Sequence, residues 1–172
     1  DETIQHAGIV TGLGGYAGHS HKYKKKGGSG YLFRTSTVQD FSGVTGACLL
    51  VKTAVYDEMH GLDEQFAVAF NDVDFCLRVR DAGYRIAWTP YAELIHYESK
   101  SRGGDEKDPV KAARFAAEQQ RLYTIHGKEN ILDDPYYNPN LTRDREDFSE
   151  SDDLRRLKEG RVTVRFRGGT LQ

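Results

Sequence analysis

The chain has 172 residues, 38% hydrophobic and 29% charged, with 18 glycines, which suffices for one globular domain or a large piece of one. A formal net charge of -2 and a pI near 6.3 lack the basic excess of a nucleic-acid binder, so no nucleic-acid partner is expected. No apolar run approaches the ~20 residues that span a bilayer, and no signal peptide opens the chain. The opening residues read like the interior of a longer protein. Cys48 and Cys76 sit among apolar neighbours without metal-ligand spacing, which predicts two buried, reduced thiols.

In chain order, residues 4–10 have short β character. A glycine-rich stretch from Gly12 to Gly30 follows, carrying His19, His21 and Lys22 to Lys26, and reads as a long loop. The continuous apolar run 45–52 predicts a strand buried on both faces. Residues 53–59 predict a short helix stopped by Gly61. Residues 71–83 give the clearest helix, with Asn71 or Asp72 as N-cap and Gly83 as C-cap. Its Asp74 and Arg78 are spaced for an ion pair. Residues 84–88 and 93–97 read as strands, with Pro90 between them. Strand, helix, strand in succession is α/β grammar. After a charged loop, Pro109 opens a helix to about His126. Residues 134–140 are turn chemistry, 144–153 are acidic and exposed, 153–159 form a short helix, and 161–167 alternate as a half-exposed strand.

The strongest chemical constellation is Asn71, Asp72, Val73 and Asp74 followed by His96. Two carboxylates at a helix start meet free backbone N–H groups and the positive end of the dipole. A positioned aspartate there can take a proton from a hydroxyl. His96 would end a strand, and ligands in α/β sheets gather at carboxyl ends of strands. A neutral imidazole at that rim can ligate a metal. The same residues also serve as plain helix caps and a satisfied histidine.

Residues 43–98 resemble the C-terminal half of family 2 glycosyltransferases. The family pattern is a T-G-A strand, G-G-F-D-E, an E-D-x-D-x-x-x-R helix, G-Y and a closing His. Thr45-Gly46-Ala47, Gly61 to Phe66, Asn71 to Arg78, Gly83-Tyr84 and His96 follow it in order. The resemblance implies a partial GT-A fold, a mixed sheet flanked by helices, with the nucleotide-binding half not included. It implies an inverting transfer from a nucleotide sugar, a dTDP- or UDP-sugar, to a glycan or lipid-linked acceptor in bacterial polysaccharide synthesis. Asp72 matches the general base. His96 matches a residue that helps hold a divalent metal, Mg2+ or Mn2+. Thr45, Gly46 and Ala47 match a loop that approaches donor and acceptor, and Asp74 a supporting residue. Asn71 departs from the pattern's acid, Met59-His60-Gly61-Leu62 replaces its Gly-Gly-Phe, and the family's upstream D-x-D metal motif has no counterpart here. The chain alone is therefore expected not to turn over.

Ser99, Lys100 and Arg102 could close over a diphosphate, and the His- and Lys-rich loop 19–26 could meet a lipid-linked diphosphate or an anionic membrane. The expected organisation is an acceptor-side catalytic part over 1–130 and an extension over 131–172. The expected place is the cytoplasm, peripheral to the inner membrane face. An edge left open for the nucleotide half predicts a homodimer. Two rival readings are a non-catalytic acceptor-binding or oligomerising module, and a metal-dependent hydrolase built on Asp72, Asp74 and His96.

Overall fold

The computed structural model describes residues 2–97, 108–152, 164–166 and 169–171. The chain is mixed α/β: among the described residues it forms small two-stranded ladders and the α-helices named below. β1 (Ile9–Thr11) pairs antiparallel with β2 (Ala17–His19), so the glycine-rich stretch begins as a hairpin rather than an open loop. Gly12, Gly14 and Gly15 all have positive φ and turn the chain between the strands. Gly8, at φ 96, passes so close to Phe41 that a Cβ would lie 2.5 Å from its ring. β3 (Gln39–Asp40) pairs antiparallel with β4 (Ala87–Trp88). The third ladder joins β5 (Val164–Phe166), inside the stretch expected to be a strand, to β6 (Gly169–Leu171), which lies beyond it.

The helices are α1 (Thr53–Glu58), α2 (Asn71–Asp81), α3 (Pro109–His126) and α4 (Lys128–Leu132). α3 keeps its expected bounds, with Asp108 capping Val110 N. α2 ends as the sequence predicts. Gly83 at φ 89 donates to Arg80 O and Tyr84 N donates to Val79 O, a Schellman closure. Its start differs. The N-cap is Phe70 in the left-handed region, and Asn71 and Asp72 are the first helical residues. The cause lies in α3. The buried Glu118 carboxylate accepts from Val68 N (3.3 Å) and Ala69 N (2.7 Å), which fixes the chain entering α2.

One core cluster packs Ile9 against Phe66, Phe70, Val73 and Leu77 of the α2 region and Leu122 of α3. A second gathers Val10, Leu13, Phe41, Tyr137, Leu141 and Phe148, with Trp88 against it. A third joins α1 and the far side of α2 through Val55, Phe75 and Val79. Asp134, buried in its turn, accepts from Thr11 N (2.7 Å), Thr11 Oγ1 (3.2 Å) and Tyr136 N (2.7 Å). It ties the segment after α4 to β1.

The expected mixed sheet is not formed: every ladder among the described residues is antiparallel and two-stranded. The run 45–52 is not a buried strand. Thr45 caps a 3-10 turn over Gly46–Cys48, and Leu50 beyond it is fully exposed. A strand needs a neighbour to take its backbone groups, and none of the described residues supplies one. The turn also leaves Cys48 exposed, against the expectation of two buried thiols, while Cys76 is buried. Residues 93–97 form no strand either, and Leu94 and Ile95 are exposed for the same reason. The short helix expected at 153–159 lies outside the described residues.

Candidate active site

The site is built where the 45–48 turn meets the first turn of α2. Asp72 is half-buried. Its Oδ2 accepts from Gly46 N at 2.8 Å and its Oδ1 from Val73 N at 2.8 Å. A carboxylate has about four lone-pair positions, so two N–H donors orient it and leave room for a substrate hydroxyl. Asn71 Oδ1 accepts from Asp72 N (2.7 Å), which secures the peptide that carries the Asp72 carboxylate. A Cβ on Gly46 would stand 3.4 Å from Asp72 Cβ, an ordinary contact. Gly46 therefore contributes its N–H more than its missing side chain.

The turn is held from both sides. Thr45 Oγ1 accepts from Ala47 N (3.4 Å), and Thr45 N donates to His6 Nε2 (3.3 Å), which also accepts from Gly8 N (3.2 Å). Two N–H donors on Nε2 place the His6 proton on Nδ1. Burial first, then nearby His19, pushes the His6 pKa down to about 3, so it stays neutral. The rings of His6 and His19 meet edge to face at 4.9 Å.

Asp74 has a different place. It is buried, with Oδ1 against His126 Nε2 at 2.8 Å and Oδ2 taking Arg78 Nε and Nη2 at 2.9 and 2.7 Å. Burial raises its pKa, but the His126 and Arg78 bonds outweigh that and hold it below the usual carboxylate range. Arg78 also donates to Gly61 O (2.9 Å) and to Met59 O. The Asp74 network thus locks α2 to α3 and to the turn after α1.

His96 is exposed, with Nδ1 3.2 Å from Gln5 Oε1. A ring whose Nδ1–H is held by an oxygen presents Nε2 outward, the arrangement of a metal-ligating imidazole. His19 Nδ1 lies 3.0 Å from Gln5 O. No described contact joins His96 to Asp72; His96 meets Gln5, and the neighbouring His6 meets Thr45 N. Among the described residues, no three His, Cys, Asp or Glu side chains are grouped to hold a metal. Ser99, Lys100 and Arg102 lie outside the described residues. Trp88 packs edge to face on Phe41, while Tyr91 is exposed.

The sequence did not point to Glu118, His126 or His6. Each acts through the tertiary contacts of a distant segment. A charged residue among the alanines of an amphipathic helix is the signal that could have found Glu118.

The chain is 48% identical over 149 residues, 86% of its length, to the uncharacterized protein y4gI of Sinorhizobium fredii (strain NBRC 101917 / NGR234). It is 35% identical over 141 residues, 81% of its length, to the O-antigen biosynthesis protein RfbC of Myxococcus xanthus. It is 32% identical over 80 residues, 46% of its length, to an N-acetylglucosaminyl-diphospho-decaprenol L-rhamnosyltransferase of Mycobacterium tuberculosis. The chain spans only 16%, 11% and 24% of these relatives respectively. No protein-family model matches it, and no solved structure matches it significantly. The similarities to a rhamnosyltransferase and to an O-antigen biosynthesis protein support a glycosyltransferase-like chain. No helix among the described residues is long and apolar enough to cross a membrane.

Proposed function

We propose that this chain is the acceptor-side part of a GT-A-type inverting glycosyltransferase of bacterial polysaccharide synthesis. The observation that carries the reading is Asp72, aimed by Gly46 N–H and held at the start of α2. Asp72 takes the proton of the acceptor hydroxyl as that oxygen attacks the anomeric carbon, and the nucleotide diphosphate leaves from the opposite face. The Thr45–Ala47 turn lies against the reacting groups, with His6 fixing its backbone. Asp74 is a positioning residue that holds the first turn of α2 through His126 and Arg78. His96 would bind a divalent cation, which when bound offsets charge on the leaving diphosphate. Ser99, Lys100 and Arg102 are assigned to the same diphosphate.

The donor is a nucleotide sugar, a dTDP- or UDP-sugar, and the acceptor a glycan or lipid-linked glycan at the cytoplasmic membrane face. The relative named as a rhamnosyltransferase supports this class. Exposed Leu50, Leu94, Ile95 and Tyr97 are the surface we assign to a nucleotide-binding half. The same exposed apolar side chains favour the second reading, an oligomerising module without catalysis. The test is a donor panel with Mg2+ or Mn2+ on the intact protein that carries these residues, with product configuration read by NMR. Transfer from one nucleotide sugar with inversion supports the enzyme. No transfer from any donor, with self-association of the chain in light scattering, supports the module.

A further inference from the structure

The basic loop does not enter the Asp72 site; it borders a separate pocket of about 340 Å3. Lys24, Lys25, Thr35 and Asp147 form its rim. The loop is anchored rather than loose. Ile4 N donates to Lys24 O (2.8 Å), Tyr23 N to Ile4 O (2.8 Å) and Lys26 N to Glu2 O (3.1 Å). The Lys26 ammonium is taken by Glu93. Neither Lys24 nor Lys25 forms an ion pair among the described residues. The rim carboxylate, Asp147, accepts from Ser149 N (2.9 Å) and faces Arg145 at 3.6 Å.

The floor is aromatic. The His21 ring stacks on Phe148 at 4.3 Å, and Tyr31 stacks on Phe148 at 5.3 Å. Ser20 Oγ and Tyr31 N hold the two His21 nitrogens at 2.7 and 3.0 Å. Gly30 lets the chain pass over this ring, since a Cβ there would lie 2.5 Å from His21 Nε2. Burial first, then Arg34 and Lys24, pushes the His21 pKa down to about 4, so the floor carries no charge at neutral pH. Two lysines without an ion pair among the described residues, beside an uncharged aromatic lining, match a ligand with one anionic end and one flat, partly apolar ring. Lysine binds phosphate as a point charge, and an aromatic face accepts the C–H face of a sugar ring.

We propose that this pocket binds a sugar phosphate, with its phosphate between Lys24 and Lys25 and its ring against the half-buried Tyr31, which the buried His21 and Phe148 rings hold in place. Ile4 lines the pocket, and His6, which holds Thr45 N, is two residues on in the chain. On the reading of Asp72 as base, the ligand is the phosphate-bearing end of the acceptor. Binding at the pocket can be measured without that reading.

The experiment is calorimetry in the presence of EDTA with glucose 1-phosphate, inorganic phosphate and glucose. EDTA excludes a donor diphosphate held through a divalent cation. Wild type should bind glucose 1-phosphate more tightly than either fragment. Lys24→Gln with Lys25→Gln should weaken it about tenfold or more, the loss of a charge-assisted contact. Lys52→Gln with Lys111→Gln, an equal change in charge elsewhere, should not, and neither should Asp72→Asn. A failure of the base assignment would appear in turnover and leave this binding intact. Equal weakening by the Lys52 and Lys111 pair would overturn the pocket in favour of diffuse charge. Inorganic phosphate binding as tightly as glucose 1-phosphate would remove the sugar contact. Retention on phosphatidylglycerol vesicles through Lys24 and Lys25, without competition from glucose 1-phosphate, would assign the lysines to a lipid surface instead.

Discussion

Replacing Asp74 by alanine should separate structure from chemistry in α2. Asp74 is 1% exposed and takes three hydrogen bonds, two from Arg78 and one from His126. Its removal leaves the Arg78 guanidinium without its counter-charge in a site only 26% exposed, and His126 without a partner at 6%. Breaking a buried pair from one side costs about 3–5 kcal/mol. At about 2–4 °C per kcal/mol for a chain of this size, the melting temperature should fall by roughly 6–20 °C. Urea unfolding followed by circular dichroism reads the same loss as a midpoint shift at unchanged slope. Asp72→Ala should cost about 1 kcal/mol or less, because that side chain is half-buried and meets backbone N–H groups that water can reach. The pH dependence follows from the depressed Asp74 pKa. Its contribution is complete above the ordinary carboxylate range and is lost as pH falls through the folded value. Asp74→Ala should therefore show a shallower acid limb than wild type. A loss for Asp74→Ala no larger than that for Asp72→Ala would refute the account of α2.

Glu118→Ala leaves Val68 N and Ala69 N without their acceptor and should cost about 1–3 kcal/mol in thermal unfolding, with Glu118→Gln milder. Gly8→Ala meets both a positive φ and the Phe41 ring, so the soluble folded yield should collapse. His6 and His21 have folded pKa values of about 3 and 4, below the ~6.5 of the unfolded chain. The unfolded state binds more protons between these values, so stability should fall as pH drops from about 6.5 toward 4. The slope is up to about 1.4 kcal/mol per pH unit for each histidine, and His21→Gln should flatten it in pH-dependent melts. Cys76 is buried with its pKa pushed up to about 11, while Cys48 is exposed. Iodoacetamide should label Cys48 alone in the native chain, read by mass spectrometry.

Helix positions were legible where local chemistry decides them. Pro109 opens α3 and Gly83 closes α2, both through backbone constraints that travel with the residue. The apolar run 45–52 misled because its pattern describes burial against neighbours, and no described strand pairs with it. The hairpin of β1 and β2 was hidden by glycines that read as a loop, although they make the turns. Asp72 stood out as a carboxylate at a helix start, but its partner Gly46 N–H is a backbone group that no side-chain pattern announces. Asp74 and Arg78 showed their spacing in sequence. His126, fifty-two positions from Asp74, could be found only once α3 lay against α2.

The most direct test of the central claim is turnover against donor binding for Asp72→Asn in the intact protein. The account predicts that the variant binds the nucleotide sugar as wild type does and loses transfer by at least about a hundredfold, the contribution of a positioned general base. Near-normal turnover by Asp72→Asn would contradict it.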